Sequence, residues 1–210
     1  FFVLGFVMGF TNGLSIVTAQ KFGGEDLEGV KRSFATGIVL CMALTLILTA
    51  AAVFLTRSML EVLQTPEEII DDAARYMKII FWGISGSMLF NFTSKMMRAL
   101  GDSRTPLYFL VLACSVNIVL DFVLILAFDM GVAGAGAATI LSQLLSGICC
   151  FYYIMKKMPS LRVECRHFKL NKDEVVLHLK NAFPMAFQMS IIAIGALILQ
   201  YALNGLGAVS

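Results

Sequence analysis

Six apolar stretches, each long enough to cross a lipid bilayer as a helix, constrain this chain more than any other feature. They run roughly over 1–19, 34–56, 76–97, 106–128, 131–155 and 182–206. A hydrocarbon core of about 30 Å needs about 20 such residues in helical form. Barrel strands need only about 9–11 residues of alternating polarity, and no such alternation occurs here. The third stretch is the weakest, since its apolar heart from Ile79 to Phe92 contains Asn91. Lys78, Lys95 and Arg98 can extend it by snorkelling outward. Composition agrees: 59% of residues are hydrophobic, 14% are charged, and the mean hydropathy is +0.84. A water-soluble domain carries about 45–50% apolar and about 25% charged residues. The expected fold is an all-α, polytopic, multi-pass membrane protein of six transmembrane helices, with the lipid bilayer as its first partner. A net charge of +2 gives no reason to expect a nucleic-acid partner.

Helix punctuation fits these limits. Thr105-Pro106 offers a cap and a proline at the first helical position of the fourth span. Thr65-Pro66-Glu67-Glu68 does the same for a short polar helix over about 66–75. Asn181-Ala182-Phe183-Pro184 opens the sixth span in a similar way. Of the 16 lysines and arginines, thirteen fall in the loops after spans one, three and five; Arg57, Arg75 and Lys78 lie on the other side. The positive-inside rule then places those three loops in the cytoplasm. Phe1 and Ser210 both lie at the edges of apolar stretches, so the chain reads as a piece of a longer membrane protein. With an outside-to-inside first span, one preceding helix is the simplest completion.

Cys41, Cys114, Cys149, Cys150 and Cys165 are odd in number and show no C-x-x-C spacing, which indicates neither a disulfide frame nor a zinc site. Cys165-Arg166-His167 is a weak metal signal in a basic loop, and His178 reads as a loop residue. Of the fourteen acids, only Asp121 sits well inside an apolar run, between Ile118-Val119-Leu120 and Phe122-Val123-Leu124. A central aspartate costs about 2.5–3.5 kcal/mol on insertion, so it is expected to face the bundle interior and to have a function. Asn117 stands one turn earlier on the same face. A carboxylate with a carboxamide one turn away can hold a proton or give oxygens to a sodium ion; the plainer alternative is that both merely hydrogen-bond neighbouring helices. In the fifth span, Gly134, Gly136, Ala138, Ser142 and their small neighbours favour close helix packing. Thr139, Ser142 and Gln143 make that face polar, and Thr139 is the candidate ligand near Asp121.

These residues resemble a known family. Met97-Arg98-Ala99-Leu100-Gly101-Asp102-Ser103-Arg104-Thr105-Pro106 resembles the loop-and-proline signature of multidrug and toxic compound extrusion (MATE) transporters. Asn117-Ile118-Val119-Leu120-Asp121 resembles the N-x-x-L-D motif of the next helix, and Gly131 to Thr139 with Ser142-Gln143 resembles the helix after it. Ala19-Gln20-Lys21-Phe22-Gly23-Gly24 is similar to an A-Q-x-x-G-A turn, with Gly24 where alanine is common. The resemblance implies two six-helix lobes, of which this chain covers helices two to seven. Residues 1–156 would be most of the N-lobe, 157–180 the cytoplasmic linker between lobes, and 181–210 the first helix of the C-lobe.

It further implies a secondary antiporter that exports drugs or other organic, often cationic, compounds in exchange for H+ or Na+, with no cofactor. Asp121, Asn117 and Thr139 match members of the N-lobe cation site, with Na+ as one possible ion there; the aspartate that the first helix supplies in prokaryotic relatives is not in this chain. The implied setting is a prokaryotic inner membrane, with the full-length protein monomeric. The same architecture serves lipid-linked saccharide flippases, whose phosphate-bearing cargo calls for basic residues in the cavity; the spans here carry few. A non-transport bundle remains a further alternative. An intramembrane enzyme does not fit, since only one acid is buried and neither histidine lies in a predicted span. Phe81, Trp82, Met88, Phe90 and Met96 are candidates for an adaptable apolar cavity, with core packing the plainer role.

Overall fold

The computed structural model describes residues 2–62, 83–127 and 131–205, and those residues contain helices and short connections but no strand. In chain order the helices are α1 (Phe2–Gly23), α2 (Leu27–Val62), α3 (Ile84–Ala99), α4 (Arg104–Asp121), α5 (Gly131–Lys157) and α6 (Lys172–Gly205). All but α3 are long and apolar enough to cross a membrane. This is a multi-pass integral membrane protein. The start of the third expected span, Phe81 and Trp82 included, lies outside the described residues, as does the polar helix expected at 66–75.

The turns show why two of the sequence motifs exist. After α1 the chain reverses through Glu25, at φ 58°, and the Asp26 carboxylate accepts the Gly29 N–H at 2.8 Å to cap α2. At the other motif, the N–H of Asp102 reaches the Met97 carbonyl and that of Gly101 reaches the Arg98 carbonyl. This paired closure needs a left-handed residue just past the helix, and Gly101 supplies it at φ 88°. Asp102 then turns to the next helix and accepts the Thr105 N–H at 3.0 Å. Partial burial raises the carboxyl's pKa, but the bonds from Thr105 and the Arg104 backbone outweigh it and hold the group below the usual range. The expected cap was Thr105. Ser103 holds the cap position without a side-chain bond, and Asp102 supplies the acceptor instead, because its carboxylate stands three residues before an N–H left open by the helix start.

The sixth helix also departs from expectation. It starts at Lys172 and runs straight through Asn181 and Pro184. Asn181 bonds back to the Leu177 carbonyl at 2.9 Å, and Pro184 removes the N–H that would otherwise reach Lys180. One missing donor is tolerated because the segment packs closely against α1. Residues 172–180, read as loop, are therefore helical, and the connection shortens to 158–171. That connection lies along the bundle's basic end: Leu161 is fully buried, and the His167 ring joins the Glu164 N–H to the Glu28 carboxylate at 2.9 and 3.1 Å. Arg166 and Lys31 add ion pairs to Glu28 at 3.8 and 2.9 Å.

The core is aromatic and sulfur-rich. Phe34 stacks on Phe92 at 5.4 Å and on Phe151 at 6.4 Å, tying α2, α3 and α5 together. Met96 and Met97 fill the space beneath, with no exposed surface. The most extensive contact joins α1 to α6, followed by α3 to α5. Gly5, Gly9 and Gly13 lie one helical turn apart on α1 and face the α6 backbone. A methyl group on Gly9 would lie 2.6 Å from Ala186 Cα, and one on Gly13 would lie 2.5 Å from the Asn181 carbonyl oxygen. This is the close approach that small residues every fourth position permit.

Candidate functional site

Asn117, Asp121 and Thr139 come from two neighbouring helices, α4 and α5, which pack side by side. α4 is peripheral: along its whole length only Pro106 and Ala113 are buried. Its apolar flank, including Tyr108, Val111, Ile118 and Val119, is exposed, as expected of a surface that faces lipid. Asn117 and Asp121 are half-buried on the side toward α5.

The structure brings Asn117 and Thr139 together. The Asn117 amide points its Nδ2 at Thr139 Oγ1 from 3.5 Å, a weak contact at the outer limit of hydrogen bonding. Thr139 spends its own proton on the Ala135 carbonyl at 3.0 Å. Its remaining lone pairs are therefore available to accept. Ser142 bonds the Thr139 carbonyl at 2.9 Å, and Gln143 accepts a bond from Ser87 of α3. Gln143 thus serves the α3–α5 contact and is drawn away from the α4–α5 face.

Asp121 is the last residue of α4 before the helix widens into a π-turn over Phe122–Ala127. The widening begins with the residue after the carboxylate, and turns of this type recur at functional positions because they re-aim side chains. Asp121 Oδ1 is buried and has no hydrogen-bond partner among the described residues. Leaving such an acceptor unsatisfied costs about 1–3 kcal/mol, and more when the group is charged. A proton or a small cation removes that cost. Asn117, one turn earlier on α4, offers a carboxamide oxygen and Thr139 a hydroxyl with open lone pairs, and these with a carboxylate are the oxygen types that hold hard cations. The sequence marks the three residues as candidates; it carries no sign of the π-turn, which has no residue signature.

A separate cavity of about 470 Å³ lies between α2, α3 and α5, lined by Cys41, Met42, Met88, Phe92, Ile148 and Phe151 among others. Its lining is almost wholly apolar, and it shares no residue with the Asn117–Asp121–Thr139 group. Of the expected cavity residues that are described, Met88 lines it; Met96 is core, and Phe90 packs against that core.

Sequence reasoning missed His178. It is fully buried in α6 and bonds Ser33 of α2 at 2.8 Å, while Ser33 meets Thr18 of α1 at 2.8 Å. Its signal in the sequence is only a polar residue one turn before the apolar run that opens at Ala182.

The comparisons with known proteins agree with this layout. A family model described as MatE matches residues 1–123. The probable multidrug resistance protein YpnP of Bacillus subtilis is 35% identical over 207 residues, covering 98% of this chain and 46% of the relative. The probable multidrug resistance protein NorM of Thermotoga maritima is 29% identical, covering 89% and 41%. The chain thus spans less than half the length of these relatives. Two solved structures of a multidrug resistance MATE family transporter of the MOP superfamily share the fold at 22% identity. The outward-facing one superposes with a TM-score of 0.88 over 98% of this chain and 46% of that chain. The inward-facing one gives 0.84 over 92% and 44%.

Proposed function

Because the chain belongs to the MatE family, we propose that it forms part of a cation-coupled antiporter that exports small organic compounds by alternating access. The observation that carries this reading is the Asp121 oxygen, buried without a partner among the described residues at the widened turn of α4, one helical turn from Asn117, whose amide points at Thr139. A carboxylate in that state binds H+ or Na+ as cargo, and the cation relieves the unpaired charge. The empty site favours whichever lobe arrangement lets water or an ion reach Asp121; the filled site favours the arrangement that seals it. Entry of the cation on one face and release on the other then drives the exported compound the opposite way. The relatives named for multidrug resistance support organic cargo of varied structure. The plasma membrane of a prokaryote is the proposed setting, with the basic helix ends at the cytoplasmic face.

Asp121→Asn keeps the side chain's shape while removing both its charge and its exchangeable proton. Full-length protein with this change should fold and insert, yet in proteoliposomes its efflux should fall to the rate seen without an imposed gradient. Asn117→Ala and Thr139→Ala each remove one neutral ligand. They should weaken the apparent cation affinity about five- to tenfold, or about 1–1.4 kcal/mol. Proton and sodium gradients imposed separately identify the ion. Wild-type efflux by Asp121→Asn, with unchanged dependence on both gradients, would falsify the assignment.

A further inference from the structure

We propose that His178 is a second proton-binding site of the transporter, placed where α6 is clamped to α1 and α2, and that proton uptake there loosens this junction. The proposal rests on the alternating-access reading above and on α6 being the first helix of the second lobe. It concerns a different residue, on a different pair of helices, from the cation group of α4 and α5.

One imidazole links three helices. Its Nδ1 lies 2.7 Å from the Glu174 carbonyl oxygen and its Nε2 lies 2.8 Å from Ser33 Oγ. Ser33 Oγ in turn lies 2.8 Å from Thr18 Oγ1. A carbonyl can only accept, so Nδ1 carries the hydrogen. In the neutral ring Nε2 then accepts from the Ser33 hydroxyl, and Ser33 accepts from Thr18. The chain of bonds is complete with a neutral histidine.

A proton on Nε2 reverses it. Both ring nitrogens become donors, Ser33 must turn its hydrogen toward Thr18, and Thr18 must find another acceptor. The added charge also sits in a site with no solvent exposure. The charged groups facing it are Lys21 from α1 and Glu174 from α6; α2 contributes the Ser33 hydroxyl. Lys21 and Glu174 are already paired with each other, so the new charge has no counter-ion of its own. An unpaired buried charge is costly. A conformation in which the ring reaches water therefore binds the proton more tightly, and acid shifts the population toward it.

The place where the junction can give is set by the backbone. From Gly13 and Ala182 toward Gly5, α1 and α6 touch through main-chain atoms. Toward the basic end they are held by the side chains of Thr18, Lys21, Glu174 and His178. Side-chain contacts can part while the glycine seam stays shut, so the opening is a splaying of the basic ends about that seam.

Spin labels at Gly24→Cys and Lys172→Cys, in full-length protein lacking its native cysteines, report this separation by pulsed electron resonance. Both positions are exposed, and a side chain at Gly24 meets nothing closer than 3.5 Å. Between about pH 7.5 and about pH 5, the range in which a histidine changes charge, the ratio of long to short distances should rise about tenfold, the effect of one pKa unit of differential binding. His178→Gln should abolish the response, and Ser33→Ala should raise the long-distance population already at the higher pH. Asp121→Asn should keep the response even though its efflux is lost, which separates this proposal from the cation assignment. A flat wild-type response, an undiminished one in His178→Gln, or its loss in Asp121→Asn overturns the proposal. If His178→Gln does not insert, Ser33→Ala decides, and unchanged distances in that variant overturn it equally.

Discussion

The α1–α6 seam and the α4–α5 pair meet the same solvent with opposite designs. Along the seam, Gly5, Gly9 and Gly13 let two backbones touch, and Phe6, Phe10, Phe183 and Phe187 close over them with ring centroids 5.7–6.4 Å apart. At its basic end Thr18, Lys21, Glu174 and His178 are all paired. At α4–α5 the packing is shallow, the hydrogen bond from Asn117 to Thr139 is weak, and a carboxylate oxygen has no partner among the described residues. In lipid there is no hydrophobic drive between helices, so tight contact must come from shape and from polar bonds. A pair that gives up both has kept its polar groups available for something else. The difference teaches that the glycine contacts of the seam are built for close packing, whereas the α4–α5 face leaves polar groups without firm partners.

The largest effect on stability should therefore come from filling the seam. Gly9→Ala or Gly13→Ala forces a methyl group into the α6 backbone, which has no flexible side chain to move aside. Each should destabilise the bundle by about 1–3 kcal/mol, read as a lowered midpoint of thermal unfolding in detergent. Asp121→Asn should leave that midpoint where it is or raise it, since it neutralises an unpaired group. Equal midpoints for all three variants would erase the distinction between the two regions.

A smaller effect is expected where α4 is held by its end instead of its length. With only Pro106 and Ala113 buried, α4 depends on the Asp102 cap more than a central helix would. Asp102→Ala should cost about 0.5–2 kcal/mol at neutral pH. The sign with pH follows from the bonded carboxyl, whose pKa is lower in the folded protein than in the unfolded chain. Its contribution is complete above about pH 4, the unfolded value, and fades as the pH falls through the lower folded value. Wild type and Asp102→Ala should converge in stability on acidification. A gap that persists in strong acid would mean that the carboxylate is not the cap.

Much of this architecture was legible in the sequence, for physical reasons that also mark where legibility ends. Spans could be counted because burial in lipid demands long apolar runs: five of the six are helices long enough to cross, and the start of the third lies outside the described residues. Asp121 could be picked out because a charge in such a run is costly, and Asn117 because helical periodicity puts it one turn away. The Gly5-Gly9-Gly13 repeat is present in the sequence, but a repeat does not say which helix it receives, and α5 carries a denser run of small residues. His178 was hidden differently. Its partners, Ser33 and Thr18, are far away in sequence, and Pro184 suggested a helix start where the chain continues a helix already begun at Lys172. A proline can be carried inside a helix when the neighbouring packing is close, and that packing is a tertiary fact.

The smallest expected effect has the opposite sign and tests the seam from its far end. Gly195 lies in α6 beyond the glycine contacts, and a methyl group built there meets nothing within 4 Å among the described residues. Its backbone is ordinary helix, so the glycine brings flexibility without a close approach to justify it. Gly195→Ala should stabilise the bundle by about 0.5–1 kcal/mol through the reduced freedom of the unfolded chain. The same substitution on the same pair of helices would then lower the unfolding midpoint at Gly9 and raise it at Gly195. A full-length Gly195→Ala protein with a lowered midpoint would show that another helix packs closely on this face, and that the seam seen at α1 is one of two that α6 makes.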